Sequence, residues 1–252
     1  DPFRFRERRL MGVIQRRNGG PLFIAEGDLV TERALAAGCE PVAVLCSEKG
    51  AQRMSEFAPD YERYCFTASE DLRRNVTGLR VPLELISLFK RPAPTDADAL
   101  LAQFTHGIYV DNVDNPVNVG SIARNMAAMG WDALFLDTNS ADPLARRALR
   151  VSMGNAFSVP HARVADTATF IRNAAAAGIA TIALTPSAGA TPLGDISLTS
   201  SRRLVVLGSE RDGLSNEVLQ ACTLRVRIEM QDGIDSLNVA AASAIACYTL
   251  RM

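Results

Sequence analysis

Three polar loops carry the residue types that this sequence could use for chemistry. The first loop, residues 112–130, places an Asn-Pro-x-Asn-x-Gly turn directly before a helical pattern that contains Arg124. The second loop, residues 207–215, and the third, residues 228–239, are rich in glycine, serine and carboxylates. Each loop stands between a strand pattern and a helix pattern, so the three together predict one composite site.

The spacing within these loops excludes several common nucleotide sites. Gly208 and Gly213 have the spacing of a phosphate-binding P-loop, but Leu214 and Ser215 stand where that motif needs lysine and a hydroxyl residue. No Gly-x-Gly-x-x-Gly dinucleotide fingerprint and no Gly-x-Ser-x-Gly nucleophile elbow occurs in the chain. The sequence therefore disfavours nucleotide hydrolysis, dinucleotide binding and a serine-hydrolase site.

The loops instead offer main chain and apolar surface to a flat ligand. Glycine lets the backbone approach a ligand closely, and apolar side chains could sandwich an aromatic base. This combination suits an adenosine group better than a pyrophosphate. The residues concerned are Leu207, Gly208, Gly213, Ile228, Met230 and Leu237.

Each of these residues also has a purely structural interpretation. The two glycines could serve ordinary turns, and Glu210 could cap the helix that follows. Ser236 could be only the N-cap of the last helix, with Asn238 in its first turn.

The elements that position the loops form two α/β regions. Residues 1–92 alternate short strand and helix signals, including a helix at 69–76 with Ser69 as its N-cap, which predicts a small α/β sandwich. Two prolines in a short polar stretch predict a linker at 93–104. Residues 105–252 predict a largely parallel sheet with ligands beyond the carboxyl ends of its strands. The predicted strands are 107–110, 133–136, 180–184, 203–207 and 224–228, and the helices include 121–129, 167–177, 216–221 and 237–250.

Composition places the chain among ordinary globular proteins. Its 252 residues are 48% hydrophobic and 22% charged, with a net charge of −1. No apolar run approaches the roughly 20 residues of a membrane span, so we expect no membrane association. Five cysteines without a Cys-x-x-Cys pair predict reduced thiols in a cytoplasmic protein, and two isolated histidines predict no metal site.

The first 17 residues form a local basic arm. Six arginines face two acidic residues there, which indicates either a solvated helix face or a surface that contacts phosphates. The arm lacks the apolar core of a secretory signal. Because the sequence starts at Asp1 without methionine, we expect residues to precede it.

Taken in order, the three loops resemble the motifs of the SpoU (TrmH) family of RNA 2′-O-ribose methyltransferases, in the SPOUT superfamily. The first motif resembles Asn115-Pro-x-Asn118-x-Gly120-x-x-x-Arg124, and the second Leu207-Gly208-x-Glu210-x-x-Gly213-Leu214. The third resembles Ile228-x-Met230 followed by Ser236-Leu237-Asn238-Val239. The resemblance covers roughly residues 105–252 and departs from the family at Glu229, where proline is usual.

This resemblance implies a fold, a cofactor and partners. It implies that S-adenosylmethionine is held in a deep trefoil knot, with contacts to the backbone around Gly208, Ile228 and Leu237. It also implies a homodimer, and an N-terminal domain similar to a ribosomal protein that binds the RNA substrate. The activity implied is methyl transfer to a ribose 2′-hydroxyl of a structured RNA. The separate N-terminal domain favours ribosomal over transfer RNA.

The resemblance also assigns roles to side chains. Arg124 would act on the 2′-hydroxyl. Arginine is a reluctant base, because its side chain holds its proton very tightly. Two roles therefore stay open for Arg124, a base made possible by the site or an electrostatic clamp on phosphate and hydroxyl. Asn118, Ser236 and Asn238 would orient the hydroxyl and Arg124, and Glu210 would hold the arginine or its loop.

A second basic cluster lies between the first two motifs. Arg146, Arg147 and Arg150 are three or four residues apart and would share a helix face. We expect them to contact RNA phosphates; the alternative is a solvated face or intramolecular ion pairs.

Two alternative classes of protein stay open at this point. One is an RNA-binding protein of the same fold without catalysis. The other is a nucleotide-dependent α/β enzyme of another kind.

Overall fold

The computed structural model describes residues 21–78, 80–231 and 233–251. The basic arm predicted for residues 1–17 lies outside the described residues. The described chain forms two compact units, of which the first contains residues 21–93 and Asp142–Ser158. The second contains residues 94–141 and 159–251. The predicted domain boundaries placed Asp142–Ser158 with the later part of the chain, whereas this segment packs in the first unit.

Helices and strands alternate along most of the chain. The elements up to residue 103 are β1 (Leu22–Glu26), α1 (Asp28–Ala36), β2 (Pro41–Cys46), α2 (Glu48–Phe57), β3 (Cys65–Thr67), α3 (Glu70–Thr77), β4 (Leu85–Lys90) and α4 (Ala97–Gln103). Those that follow are β5 (His106–Val110), α5 (Pro116–Met129), β6 (Ala133–Leu136), α6 (Arg146–Val151), β7 (His161–Arg163), α7 (Thr167–Ala176), β8 (Ala180–Leu184), β9 (Thr191–Pro192), β10 (Arg203–Leu207), α8 (Asn216–Ala221), β11 (Leu224–Arg227) and α9 (Val239–Thr249).

The first unit is built on a four-stranded sheet in the order β1-β4-β2-β3. Strand β4 pairs antiparallel with β1 and β2, and β3 is parallel to β2. Phe23 and Phe89 from neighbouring strands stack with ring centroids 5.3 Å apart. Ser69 caps α3 as predicted, since its side chain accepts a hydrogen bond from the amide of Leu72. Helix α6 packs against β1 in this unit.

The second unit contains a seven-stranded sheet in the order β7-β6-β5-β10-β8-β11-β9. Every neighbouring pair is parallel, which confirms the predicted parallel-sheet α/β fold. One face carries a core with residues of α5 and α9, and a separate core on the other side includes residues of α4, α7 and α8. Both faces of the central strands are thus covered, as parallel sheets require. The trefoil knot stays a prediction of the family resemblance.

Three strands, β6, β8 and β10, have the predicted bounds, and the differences elsewhere have local causes. Helix α5 begins at Pro116 rather than at residue 121, because Asn115 caps it and proline suits the first helical position. Helix α9 begins at Val239, because Asn238 and not Ser236 is its N-cap. The short edge strands β7 and β9 were not predicted, and α4 lies within the segment predicted as a linker.

Candidate active site

The three motif loops follow β5, β10 and β11 at one edge of the parallel sheet. Strands β5 and β10 are neighbours, and their last residues, Val110 and Leu207, lie opposite each other in the register. Strand β11 is separated from β10 only by β8. Because parallel strands all end at the same edge, loops distant in sequence converge here, as the sequence predicted.

One side chain joins residues from all three loops. Nδ2 of Asn238 donates to Oδ1 of Asn118 over 3.1 Å and to Oε1 of Glu210 over 2.6 Å. Its Oδ1 accepts hydrogen bonds from the backbone amides of Ala240, at 2.9 Å, and Ala241, at 3.3 Å. The two donors fix the position of the oxygen, so both groups of the Asn238 amide are engaged. Asn238 is thus a helix cap and a bridge, and its placement in the first turn was wrong.

Asn118 depends on this bond because of where the helix places it. Asn115 accepts a hydrogen bond from the amide of Val117 at 3.0 Å and so starts α5 three residues before Asn118. Asn118 is only 5% exposed, and a buried amide needs partners. Asn118 accepts from Asn238 with its oxygen, so the Asn118 side chain is tied to the third loop.

Arg124 lies on a different face of the same helix. It follows Asn118 by six residues, which corresponds to roughly 120° around the helix axis. Arg124 is exposed, and so is Val117, which lies about two turns earlier on the same face of the helix. The described contacts therefore bring Asn118, Glu210 and Asn238 together, while the role of Arg124 stays a prediction.

A cavity of about 550 Å³ opens between the second and third loops. This volume is within the range of small-molecule sites, about 300–1,000 Å³. All six residues predicted to face a cofactor line it, together with Glu210 and Ser236. The loop after β8, Thr185 and Pro186, also lines the cavity and was not predicted, because it carries no motif.

Gly208 is required by the fold of the second loop. A Cβ atom at this position would lie 2.4 Å from the carbonyl carbon of Gly213 and 2.6 Å from the amide nitrogen of Leu214. Gly213 has φ of +66°, and its amide donates to the carbonyl of Ser209 at 3.1 Å. Both glycines therefore serve the turn, as their structural interpretation predicted. The same turn presents their backbone to the cavity.

The predicted arginine cluster has other partners. Arg146 forms an ion pair with Glu26, whose side chain is 1% exposed, and Arg150 lies 3.7 Å from the same carboxylate. These contacts fall within the first unit and favour the alternative of intramolecular ion pairs for Arg146 and Arg150. Arg147 is exposed, and a phosphate contact stays a prediction for this residue.

Other predicted absences concern metal, disulfides and membrane spans. Within the described chain, no group of three or more His, Cys, Asp or Glu side chains is placed to hold a metal ion. All five cysteines are free thiols, and Cys39, Cys46 and Cys247 are buried. Among the helices of the described residues, none has the length and apolar character needed to traverse a bilayer.

Comparisons with known proteins find RNA methyltransferases. The chain is 36% identical to an uncharacterized tRNA/rRNA methyltransferase of Mycobacterium bovis over 91% of its own length and 81% of the relative. It is 27% identical to the 23S rRNA (guanosine(2553)-2′-O)-methyltransferase RlmP of Bacillus subtilis, over 91% of this chain and 88% of that protein.

A solved structure carries the cofactor in the same fold. The AdoMet-bound rRNA methyltransferase of Sinorhizobium meliloti superposes with a TM-score of 0.78 at 27% identity, covering 92% of this chain and 87% of that one. AdoMet is S-adenosylmethionine, the cofactor that the family resemblance implies for this chain.

The fold and these relatives thus define an RNA methyltransferase. The model of the SpoU rRNA methylase family matches residues 106–248, more than half of the chain. The protein belongs to that family.

Proposed function

We propose that the protein transfers a methyl group to a ribose 2′-hydroxyl of a structured RNA. The observation that carries the proposal is the Asn238 amide, which joins Asn118 to Glu210 beside the cavity. It ties the loop that would face the ribose to the loops that would hold the cofactor. The 2′-O activity of the Bacillus subtilis relative at 27% identity adds support.

The lining of the cavity fits the cofactor. Leu207, Ile228 and Leu237 offer apolar surface to an adenine ring, and the Gly208–Gly213 turn offers backbone. When bound, S-adenosylmethionine supplies an electrophilic methyl group on a sulfonium. The residues named here would hold the adenosine end.

The protein's own side chains would position the hydroxyl and receive its proton. The 2′-hydroxyl is a weak nucleophile, and its proton must be removed or shifted as the new C–O bond forms. Arg124 would act there, as a base or by holding phosphate and hydroxyl together. The donor group of Asn118 and the exposed Ser236 would orient the oxygen, and Asn238 would act through Asn118.

A homodimer is part of the proposal. Helices α5 and α9 pack together, and Nδ2 of Asn125 donates to the Ala240 carbonyl and to Ser243 Oγ, both at 2.9 Å. The outer surface of this pair exposes large apolar side chains. They are Val117 (38% exposed), Ile245 (38%) and Tyr248 (58%).

Ribosomal RNA in the cytoplasm is the substrate we favour. The rRNA methyltransferase relatives support it, and transfer RNA is the alternative. A catalytically inactive RNA-binding protein of this fold is disfavoured, because Asn118 and Glu210 are both present and both accept hydrogen bonds from Asn238.

The test is methyl transfer to RNA from cells that lack the gene. Purified protein is incubated with tritiated S-adenosylmethionine and with separated ribosomal and transfer RNA, and the labelled RNA is hydrolysed in alkali. A methylated 2′-oxygen cannot attack the adjacent phosphate, so label in alkali-resistant dinucleotides indicates ribose methylation. Label in mononucleotides would indicate base methylation and contradict the proposal. No transfer to either RNA would favour the inactive RNA-binding protein.

A further inference from the structure

A second buried polar centre lies beside the start of the first motif loop. It is formed by Asp137 and Ser140, which follow β6 and are 6% and 4% exposed. The Asp137 carboxylate accepts hydrogen bonds from the backbone amides of Asn112 (3.0 Å), Asn139 (2.9 Å) and Ser140 (2.9 Å), and from Ser140 Oγ. Neither Asp137 nor Ser140 belongs to the three motif loops. So many donors on one buried carboxylate indicate a fixed anchoring point.

This centre clamps two chain segments together. Ser140 Oγ accepts the amide of Val113 at 2.9 Å, and the amide of Ala141 donates to the carbonyl of Val113 at 2.8 Å. The amide of Asp137 donates to the carbonyl of Val110 at 3.2 Å. Together with the Asn112 bond, these contacts hold residues 110–113 against residues 137–141.

The clamp holds the chain at a turn in the left-handed region. Asn112 has φ of +57°, a conformation that asparagine adopts more readily than most residues with a Cβ atom. Its amide points at Asp137 Oδ1 in this conformation. The turn it forms directs the chain out of β5 toward the Asn115 cap, and so determines where α5 begins.

We propose that Asp137 is a positioning residue for methyl transfer, acting through the Asn112 turn on Asn118 and Arg124. This inference rests on the function proposed above. The residues that line the cavity come from positions 184–186, 207–214, 228–230 and 235–242, and none comes from the clamped segments. Loss of Asp137 should therefore lower turnover while cofactor affinity is retained.

The chain offers a matched control at the other end of the same strand. Asp132 precedes β6 as Asp137 follows it, and its carboxylate accepts the amides of Thr105 (3.0 and 3.1 Å) and His106 (2.9 Å). Both aspartates thus anchor backbone amides at an end of β5. Asp132 lies at the edge of the sheet away from the motif loops, so it shares the structural role of Asp137 without the link to the start of α5.

The experiment compares Asp137→Asn with Asp132→Asn in the full chain. In Asp137→Asn an NH₂ group replaces one carboxylate oxygen and meets a backbone amide donor in either orientation, Asn139 in one and Asn112 in the other. The negative charge that strengthens the Asn112 hydrogen bond is also lost. We expect turnover at saturating RNA and cofactor to fall about 100-fold, the scale reported for small misplacements of reacting groups. Calorimetry should give an unchanged dissociation constant for S-adenosylhomocysteine, and Asp132→Asn should keep wild-type turnover.

Two outcomes separate this inference from the proposed function. If the wild type transfers no methyl group to RNA, the proposed function fails. If the wild type is active and both variants have the same turnover, or if Asp137→Asn loses cofactor affinity in parallel with rate, the positioning role is overturned. Should Asp137→Asn not fold, Ser140→Ala removes the hydroxyl that accepts the Val113 amide and donates to Asp137 but leaves the carboxylate in place. It is judged by the same two readouts.

Discussion

Nδ2 of Asn238 donates to Oδ1 of Asn118 over 3.1 Å, although 120 residues separate them in the chain. The same nitrogen donates to Glu210, and the amide oxygen caps α9. A single side chain therefore joins the starts of α5 and α9 to the loop after β10. Any shift of one of these elements must break one of its four hydrogen bonds or move the others.

Asn238→Asp should separate the capping role from the bridging role. Aspartate caps a helix as well as asparagine, so α9 should stay intact. The carboxylate cannot donate to Asn118, and it meets the Glu210 carboxylate at the site of a 2.6 Å hydrogen bond. We expect turnover to fall at least tenfold with little change in melting temperature. Asp166→Asn, the reverse exchange at the N-cap of α7, is the control and should keep full activity.

The sequence was sufficient for the parallel sheet and for the convergence of the motif loops. Buried strands such as 203–207 are continuous apolar runs, and the carboxyl ends of parallel strands share one edge. It could not identify Asp137 or Thr185, because their contacts depend on strand order and not on local pattern. It also could not show that Arg146 pairs with Glu26, a partner 120 residues away in the chain.

Gly208→Ala should weaken cofactor binding by displacing the second loop. The added methyl group would lie 2.4 Å from the carbonyl carbon of Gly213, and backbone cannot yield as a flexible side chain does. We expect S-adenosylhomocysteine affinity to fall at least tenfold in calorimetry. Gly194→Ala is the control, since nothing lies within 4 Å of its added Cβ atom. Equal affinities in the two variants would remove the loop geometry as the cause.

Arg124→Ala should lose methyl transfer and keep cofactor affinity. Removal of a group that receives or shifts a proton typically costs a factor of about 10² to 10⁴ in rate. The pH dependence of Arg124→Lys distinguishes the two roles. A lysine base loses its proton at lower pH than arginine and would shift the pH–rate profile, whereas a cationic clamp would leave the profile in place. Arg172→Ala, an exposed helix arginine of the same unit, should behave as the wild type. Unchanged turnover in Arg124→Ala would exclude this residue from the mechanism.

Replacing Arg146 and replacing Arg147 should have different effects on the stability of the protein and on RNA binding. Arg146→Ala removes the nearer partner of the Glu26 carboxylate, which is 1% exposed, and leaves Arg150 at 3.7 Å. The free energy of unfolding should fall by about 3 kcal/mol. Arg147→Ala should change it by less than about 0.5 kcal/mol, as exposed substitutions do. If Arg147 contacts a phosphate, its loss should reduce the salt slope of RNA binding by about one. If Arg147→Ala has the same salt slope as the wild type, Arg147 does not contact a phosphate.

Asp111→Asn should stabilise the protein at neutral pH. Burial, and secondarily the charge of Asp137, raises the pKa of Asp111 above its ordinary value, so the folded chain binds this proton more tightly than the unfolded chain. Its contribution to stability is complete below the unfolded pKa and is lost as pH rises through the folded pKa. Asparagine keeps an acceptor for the hydroxyl of Thr167, which lies at 3.2 Å. The gain in melting temperature should therefore be largest at neutral pH and vanish at about pH 3.

The control is Asp166→Asn. At Asp166 a hydrogen bond from the Thr169 amide lowers the pKa, so this variant should not raise the melting temperature at neutral pH. If both variants gained equally in melting temperature, burial of Asp111 would not be the cause of the gain.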